Sequence, residues 1–133
     1  MRLTTADLRL HMAKKERRTS ERYGAKILAE VYSAQTSILL GRAVIFNISY
    51  GGAGIETNVI LNEGDKVVLK FHLKKHKYDF SRLIIKGEVE VRWGSLKGRK
   101  KFYGVRFFKV SAEDRSRIKD YIEFLEKRIR VKR

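Results

Sequence analysis

Over residues 83–93 the chain alternates almost residue by residue. Leu83, Ile85, Val89, Val91 and Trp93 fall on one face, and Lys86, Glu88, Glu90 and Arg92 on the other. A two-residue period belongs to a strand with one face on a core and the other in water; a helix does not satisfy it. Trp93 is thereby assigned to the core side with Val89 and Val91. Gly87 interrupts the apolar face and predicts a bend or bulge, as barrel closure requires. The pattern recurs elsewhere. Ala25, Ile27, Ala29 and Val31 oppose Lys26 and Glu30, and Val67, Leu69, Phe71 and Leu73 oppose Lys66, Lys70 and His72. A more apolar strand is expected over residues 39–48, a short one over 53–57 and a last one over 101–110. Asn62-Glu63-Gly64-Asp65 and Lys97-Gly98-Arg99 mark turns between them.

Six short strands without crossover helices predict an all-β fold: a six-stranded antiparallel barrel, closed so that no edge is left to pair. Ser111-Ala112-Glu113-Asp114 has the form of a capping box. Behind it Ile118, Tyr121, Ile122, Leu125 and Ile129 recur at helical spacing, which predicts a C-terminal helix over 112–129. Thr4 and Asp7 open a possible short helix over 4–15, with Leu8 and Met12 on one face. The expected organisation is an N-terminal arm or short helix over residues 1–16 and one barrel domain over 17–133.

A chain of 133 residues has enough material for one core. The absence of cysteine excludes disulfides, thiolate nucleophiles and Cys-based metal sites. No apolar run approaches the ~20 residues that span a bilayer, and the N-terminus has no signal-peptide apolar region. A cytoplasmic protein is expected. The net charge of +16 favours a polyanionic partner: nucleic acid, anionic lipid headgroups or a phosphorylated small molecule. The basic residues cluster at 14–22, 97–101 and 128–133, and others recur along most strands.

Two short motifs narrow that choice. Arg17, Arg18 and Arg22 lie in a polar stretch, 16–24, that ends in glycine, has no periodicity and is expected to be flexible. Asn47-Ile48-Ser49-Tyr50-Gly51-Gly52 supplies an amide, a hydroxyl and bare backbone where the second strand ends. Guanidinium forks match phosphate oxygens and guanine edges, and a polar, glycine-containing turn lets a flat ligand approach the backbone. Together they read as a clamp for a guanine-containing phosphodiester.

Arg18-x-x-x-Arg22 followed by Asn47-x-Ser49-x-x-Gly52 resembles the signature of PilZ domains, bacterial receptors for cyclic di-GMP. The resemblance runs from about Lys15 to the C-terminal helix and implies the same barrel and no catalytic activity. It implies that Arg18 and Arg22 hold guanine edges and phosphates. Asn47 would meet a guanine Watson–Crick edge, Ser49 would add its hydroxyl or backbone, and Gly51 and Gly52 would let the base lie close. An arginine at the position of Arg17 implies two intercalated ligand molecules per chain. The implied output is a protein partner, in motility, pilus or exopolysaccharide systems, reached when the arginine segment changes conformation on binding.

Trp93 at a barrel rim is a possible purine-stacking residue, and Arg106, opposite the apolar face of Tyr103, Val105 and Phe107, a possible phosphate contact. His11, His72 and His76 have no partner at a catalytic or metal-binding spacing, and Gly51-Gly-Ala-Gly54 lacks the Lys-Ser/Thr of a P-loop. Neither a metal nor a cofactor is expected. Two rival readings stay open. One is a basic barrel binding single-stranded nucleic acid through Phe102 and Phe108 beside Lys100, Lys101 and Lys109. The other is a PilZ-like adaptor that binds protein alone.

Overall fold

The computed structural model describes residues 22–74 and 83–131, with helix side chains through residue 128. The N-terminal arm over 1–16, Arg17, Arg18, His11 and His76 lie outside the described residues. The strands are β1 (Tyr23–Ser33), β2 (Leu39–Ile48), β3 (Gly52–Thr57), β4 (Lys66–Leu73), β5 (Leu83–Lys97) and β6 (Lys100–Lys109), followed by helix α1 (Ala112–Val131). They close into one barrel in the order β1-β2-β3-β6-β5-β4, and every neighbouring pair is antiparallel.

The predicted alternation fills the barrel. Ile27, Ala29 and Val31 of β1, Val67, Leu69, Phe71 and Leu73 of β4, and Tyr103, Val105 and Phe107 of β6 all point inward and are buried. Ile118, Tyr121, Ile122 and Leu125 lay the apolar stripe of α1 onto the same core. Ser111 caps the helix, its Oγ accepting from the Asp114 N–H at 3.1 Å. Arg117 ties down the first-turn carboxylates of Glu113 (2.7 Å) and Asp114 (3.2 Å).

The far mouth is closed by the β3–β4 connection. Leu61 turns into the core there, and its N–H donates to the Tyr103 hydroxyl at 3.0 Å. The loop is then tied to β5 by reciprocal backbone bonds, Gly64 N–H to the Val91 carbonyl and Val91 N–H to the Asp65 carbonyl, both 2.8 Å.

Five register shifts bend the barrel, two of them between β1 and β2; of the other three, two correct expectations. Val91 pairs with Val105 but Trp93 pairs with Gly104, so Arg92 is an extra residue on β5. That bulge turns Trp93 off the core face. It is 41% exposed, and β5 runs on to Lys97 with every residue from Arg92 onward exposed. The period that assigned Trp93 to the core stops at Val91. Gly87 itself pairs in register with Leu69. The shift expected there sits on the partner strand: Glu88 pairs with Lys109 and Val89 with Phe107, leaving Phe108 as the extra residue. Gly87 instead makes room for Val110, whose Cγ2 would lie 2.7 Å from a Cβ. The third shift, on β2, leaves Phe46 extra between Ile45↔Ile55 and Asn47↔Gly54.

Tyr103→Phe removes the hydroxyl that accepts from the buried Leu61 amide and keeps the ring. It is expected to cost about 1–3 kcal/mol of folding stability. An unchanged midpoint in urea denaturation would show that the strap from Leu61 to Tyr103 does not hold the mouth closed.

Candidate functional site

The β2–β3 turn is built by its own side chain. Ser49 is only 3% exposed. Its Oγ accepts from the Gly52 N–H at 3.1 Å and lies 3.2 Å from the Gly52 carbonyl, while the Ser49 N–H donates to that same carbonyl at 2.8 Å. The hydroxyl therefore shapes the turn from within. Next to it the Gly51 carbonyl accepts from the Phe107 N–H at 2.9 Å, which pins the turn to β6. Gly52 pairs with Arg106, and a Cβ there would drive into the Val105 carbonyl oxygen. Glycine is needed here for close approach, not for an unusual backbone angle.

Register then lays out the outer wall beside the turn. Gly24 pairs with Asn47, Asn47 with Gly54, Gly54 with Gly104, and Gly104 with Trp93. The row crosses five strands with a floor of bare backbone between Asn47 and Trp93. The Phe46 ring and the Asn47 carboxamide cover Gly54: a Cβ there would lie 2.6 Å from Phe46 Cζ and 2.7 Å from Asn47 Oδ1. The indole of Trp93 lies directly on Gly104. Phe46 meets Phe102 edge to face, with centroids 5.7 Å apart and planes at 80°. Close to the buried glycines, the exposed Trp93 indole, the half-buried Phe46 ring and the half-buried Asn47 amide suit a flat, hydrogen-bonding ligand.

The sequence-predicted residues converge here in part. Arg22 and Asn47 come together across 25 positions, with Arg22 Nη1 donating to Asn47 Oδ1 at 3.4 Å on the exposed surface. At that length the bond is weak and readily exchanged for a better acceptor. Asn47, Ser49, Gly51 and Gly52 are contiguous with it. Arg106 is on the same outer wall, but its guanidinium is 3.4 Å from Glu90, which also accepts from Arg92 at 3.0 Å. The bond from Arg92, helped by the nearby charges of Arg106 and Lys66, holds the Glu90 carboxyl below the usual carboxylate range.

Four features escaped the sequence reading. Gly54 and Gly104 form the floor, Phe46 walls it, and α1 reaches the site. Tyr23, next to Arg22, donates its hydroxyl to Glu126 Oε1 at 2.7 Å. Tyr50 is pushed above its ordinary pKa by burial first and then by the charges of Glu126 and Glu123. The glycines had a signal: they occupy outward positions, where an exposed wall ordinarily carries polar side chains. A separate cleft of about 560 Å³ holds Glu30, Arg42, Lys70 and His72 around Leu28 and Val44, and no motif residue lines it. Among the described residues no group of His, Asp or Glu is arranged to hold a metal ion, and no helix is long and apolar enough to cross a membrane.

Residues 16–124 match the PilZ domain family. No curated protein matches the chain in sequence. Among solved structures, the Bacillus subtilis inhibitor of motility MotI/DgrA is similar at 17% identity and TM-score 0.69, over 88% of this chain and 54% of that one. The chain thus spans about half the length of that protein. The PilZ domain of YcgR from Escherichia coli, solved with c-di-GMP, is similar at 19% identity and TM-score 0.63, over 87% of this chain and 96% of that one. The PilZ domain of CeSA from a cellulose-synthesizing bacterium is similar at 20% identity and TM-score 0.53, over 80% of this chain and 99% of that one.

Two substitutions separate close approach from mere glycine content. Gly52→Ala places a methyl against backbone that cannot rotate away and is expected to lower stability by about 1–3 kcal/mol. Gly24→Ala, where a Cβ would meet nothing within 4 Å, should stay within about 0.5 kcal/mol of the parent. Equal melting temperatures for the two variants would contradict the β3–β6 contact.

Proposed function

The chain belongs to the PilZ family, and on that premise we propose that it is a non-catalytic receptor for cyclic di-GMP. The observation that carries the reading is the meeting of Arg22 with Asn47 at the edge of the glycine strip. One residue supplies a charged fork for phosphate or a guanine Hoogsteen edge, the other an amide for a Watson–Crick edge. The weak bond between them is a resting contact that a ligand replaces. Arg17 and Arg18 join Arg22 in closing over the ligand, and Trp93 offers an indole face for a purine. Arg106 takes part in phosphate binding only by leaving Glu90.

The family assignment and the c-di-GMP complex of the E. coli YcgR domain support this choice of ligand. Family membership also supports a binding rather than catalytic role. Binding becomes a signal through the arginine segment and through α1, whose Glu126 is hydrogen-bonded to the residue beside Arg22. A protein of a motility, pilus or exopolysaccharide system receives it; the motility inhibitor of B. subtilis supports the first of these. The nucleic-acid alternative loses ground, because Phe102 packs on Phe46 and Phe108 lies 4.1 Å beneath the Lys66 ammonium.

Calorimetric titration with cyclic di-GMP tests the reading, with GTP and a single-stranded oligonucleotide as controls. Arg22→Ala or Arg18→Ala should cost about 1.5–3 kcal/mol, roughly 10- to 150-fold in affinity. Asn47→Ala, which removes a neutral bond, should cost about 0.5–1.5 kcal/mol. Unchanged affinity in both arginine variants, or preference for the oligonucleotide with a steep salt slope, would overturn it.

Stoichiometry tests Arg17 separately. Two ligands per chain are expected at saturation, because a second intercalated molecule gives Arg17 phosphate and guanine edges to bind. Arg17→Leu should reduce the ratio to one while keeping the first site. A parent ratio of one would return Arg17 to an ordinary surface charge.

A further inference from the structure

The barrel end away from the ligand turn carries a second feature that the receptor reading does not use. Three loop tips there display large aliphatic side chains to solvent. Ile38 (63% exposed), Leu39 and Leu40 come from the β1–β2 hairpin, Ile60 (76%) from the β3–β4 loop, and Leu96 (66%) from the β5–β6 hairpin. Register puts them together. Ala43, Thr57, Lys101 and Leu96 form one row across β2, β3, β6 and β5, and the tips lie at or beyond it. A Cβ on Gly41 would lie 2.7 Å from Val59 Cγ2, so the start of β2 touches the loop that carries Ile60.

The tips are held in place. Ser33 Oγ accepts from the Gln35 and Thr36 N–H groups, Thr36 Oγ1 accepts from the Ile38 N–H, and the Ile38 carbonyl accepts from the Ser33 N–H. Ser37 adopts φ 61°, a left-handed conformation uncommon for a residue with a side chain. The loop behind Ile60 is anchored by Leu61 in the core. An exposed isoleucine on a fixed turn is a presented surface.

Charge surrounds these tips. Lys97, Arg99 and Lys100 are exposed on the β5–β6 hairpin, with Lys101 half-buried behind them and Arg42 exposed on β2. The acids at this end are Glu30, which pairs with Arg42 across β1 and β2, and Glu56, Glu63 and Asp65. Glu56 sits 3.5 Å from Lys100, and Asp65 Oδ2 accepts from the Asn62 N–H. The β1–β2 tip itself, residues 33–38, carries no charge.

The geometry points to this end of the barrel as a docking surface for a bilayer of anionic phospholipid. Aliphatic tips enter the interface while the flanking lysines and arginines keep their heads among lipid phosphates. Three separate convex tips fit a fluid surface at once, with no need for a partner of matching shape, and the +16 net charge draws the chain toward a negative surface. The Asn47–Gly52 turn and Arg22 lie at the opposite ends of β2, β3 and β1. Docking in this orientation leaves the ligand site facing away from the membrane.

Co-sedimentation of the 133-residue chain with phosphatidylglycerol/phosphatidylcholine vesicles, against phosphatidylcholine alone, tests the proposal. Binding is expected to the anionic vesicles and to weaken as salt is raised. The triple variant Ile38→Ser, Ile60→Ser, Leu96→Ser should lose at least roughly 10-fold in partitioning with an unchanged unfolding midpoint. Arg22→Ala should bind vesicles as the parent does, so failure of the receptor reading leaves this result intact. A parent chain that stays in the supernatant at low salt, or a triple variant that partitions as the parent does, would overturn the proposal. So would equal displacement of parent and triple variant by polyglutamate, since charge alone would then account for binding.

Discussion

The contact between β3 and β6 is the constraint on which the rest depends. Gly52 lies against the Val105 carbonyl and Gly54 faces Gly104, so the two strands approach without side chains between them on the outer wall. That approach helps close the barrel, since β3–β6 and β1–β4 are the two pairings that join β1-β2-β3 to β4-β5-β6. It also shapes the candidate site, because Phe46, Asn47 and Trp93 lie over the glycines of this seam. Closure and the candidate ligand surface are one feature of the fold. The turn that begins β3 is fixed by the Ser49 hydroxyl within and by Phe107 from outside.

The strands were legible because burial is one-sided. Residues 83–91 alternate as they do because the barrel has a single core and a wetted exterior, and the order of apolar faces on β1, β4 and β6 follows from that alone. What escaped the sequence was position within the alternation. A bulge adds one residue and inverts every face beyond it. Arg92 does so on β5, which moved Trp93 from the expected core to the outer wall. Phe46 does so on β2, which is why Ile45 and Ile48, three residues apart, are both buried. Bulges depend on the partner strand, and a single strand's pattern does not record the partner.

The candidate site draws its polar members from the sequence and its glycines from the fold. Arg22, Asn47 and Ser49 are residue types with distinctive chemistry at a distinctive spacing. Gly54 and Gly104 have no side-chain chemistry; they matter because register sets them opposite each other, 50 positions apart in sequence. The involvement of α1 was hidden for the same reason, since the bond from Tyr23 to Glu126 joins residues 103 positions apart. Ser49 stands in the turn between β2 and β3, and its hydroxyl is turned inward to Gly52. In a buried turn that bond is worth more to the fold than an exposed one would be.

Amide chemical-shift mapping during titration with cyclic di-GMP tests the central claim most directly, because it reports which surface the ligand occupies. The account predicts perturbations concentrated on the Gly24, Asn47, Gly54 and Gly104 amides and the Trp93 indole N–H, with the Ile38–Leu40 tip unaffected. Perturbations confined to the opposite barrel end, or none at saturating ligand, would contradict it.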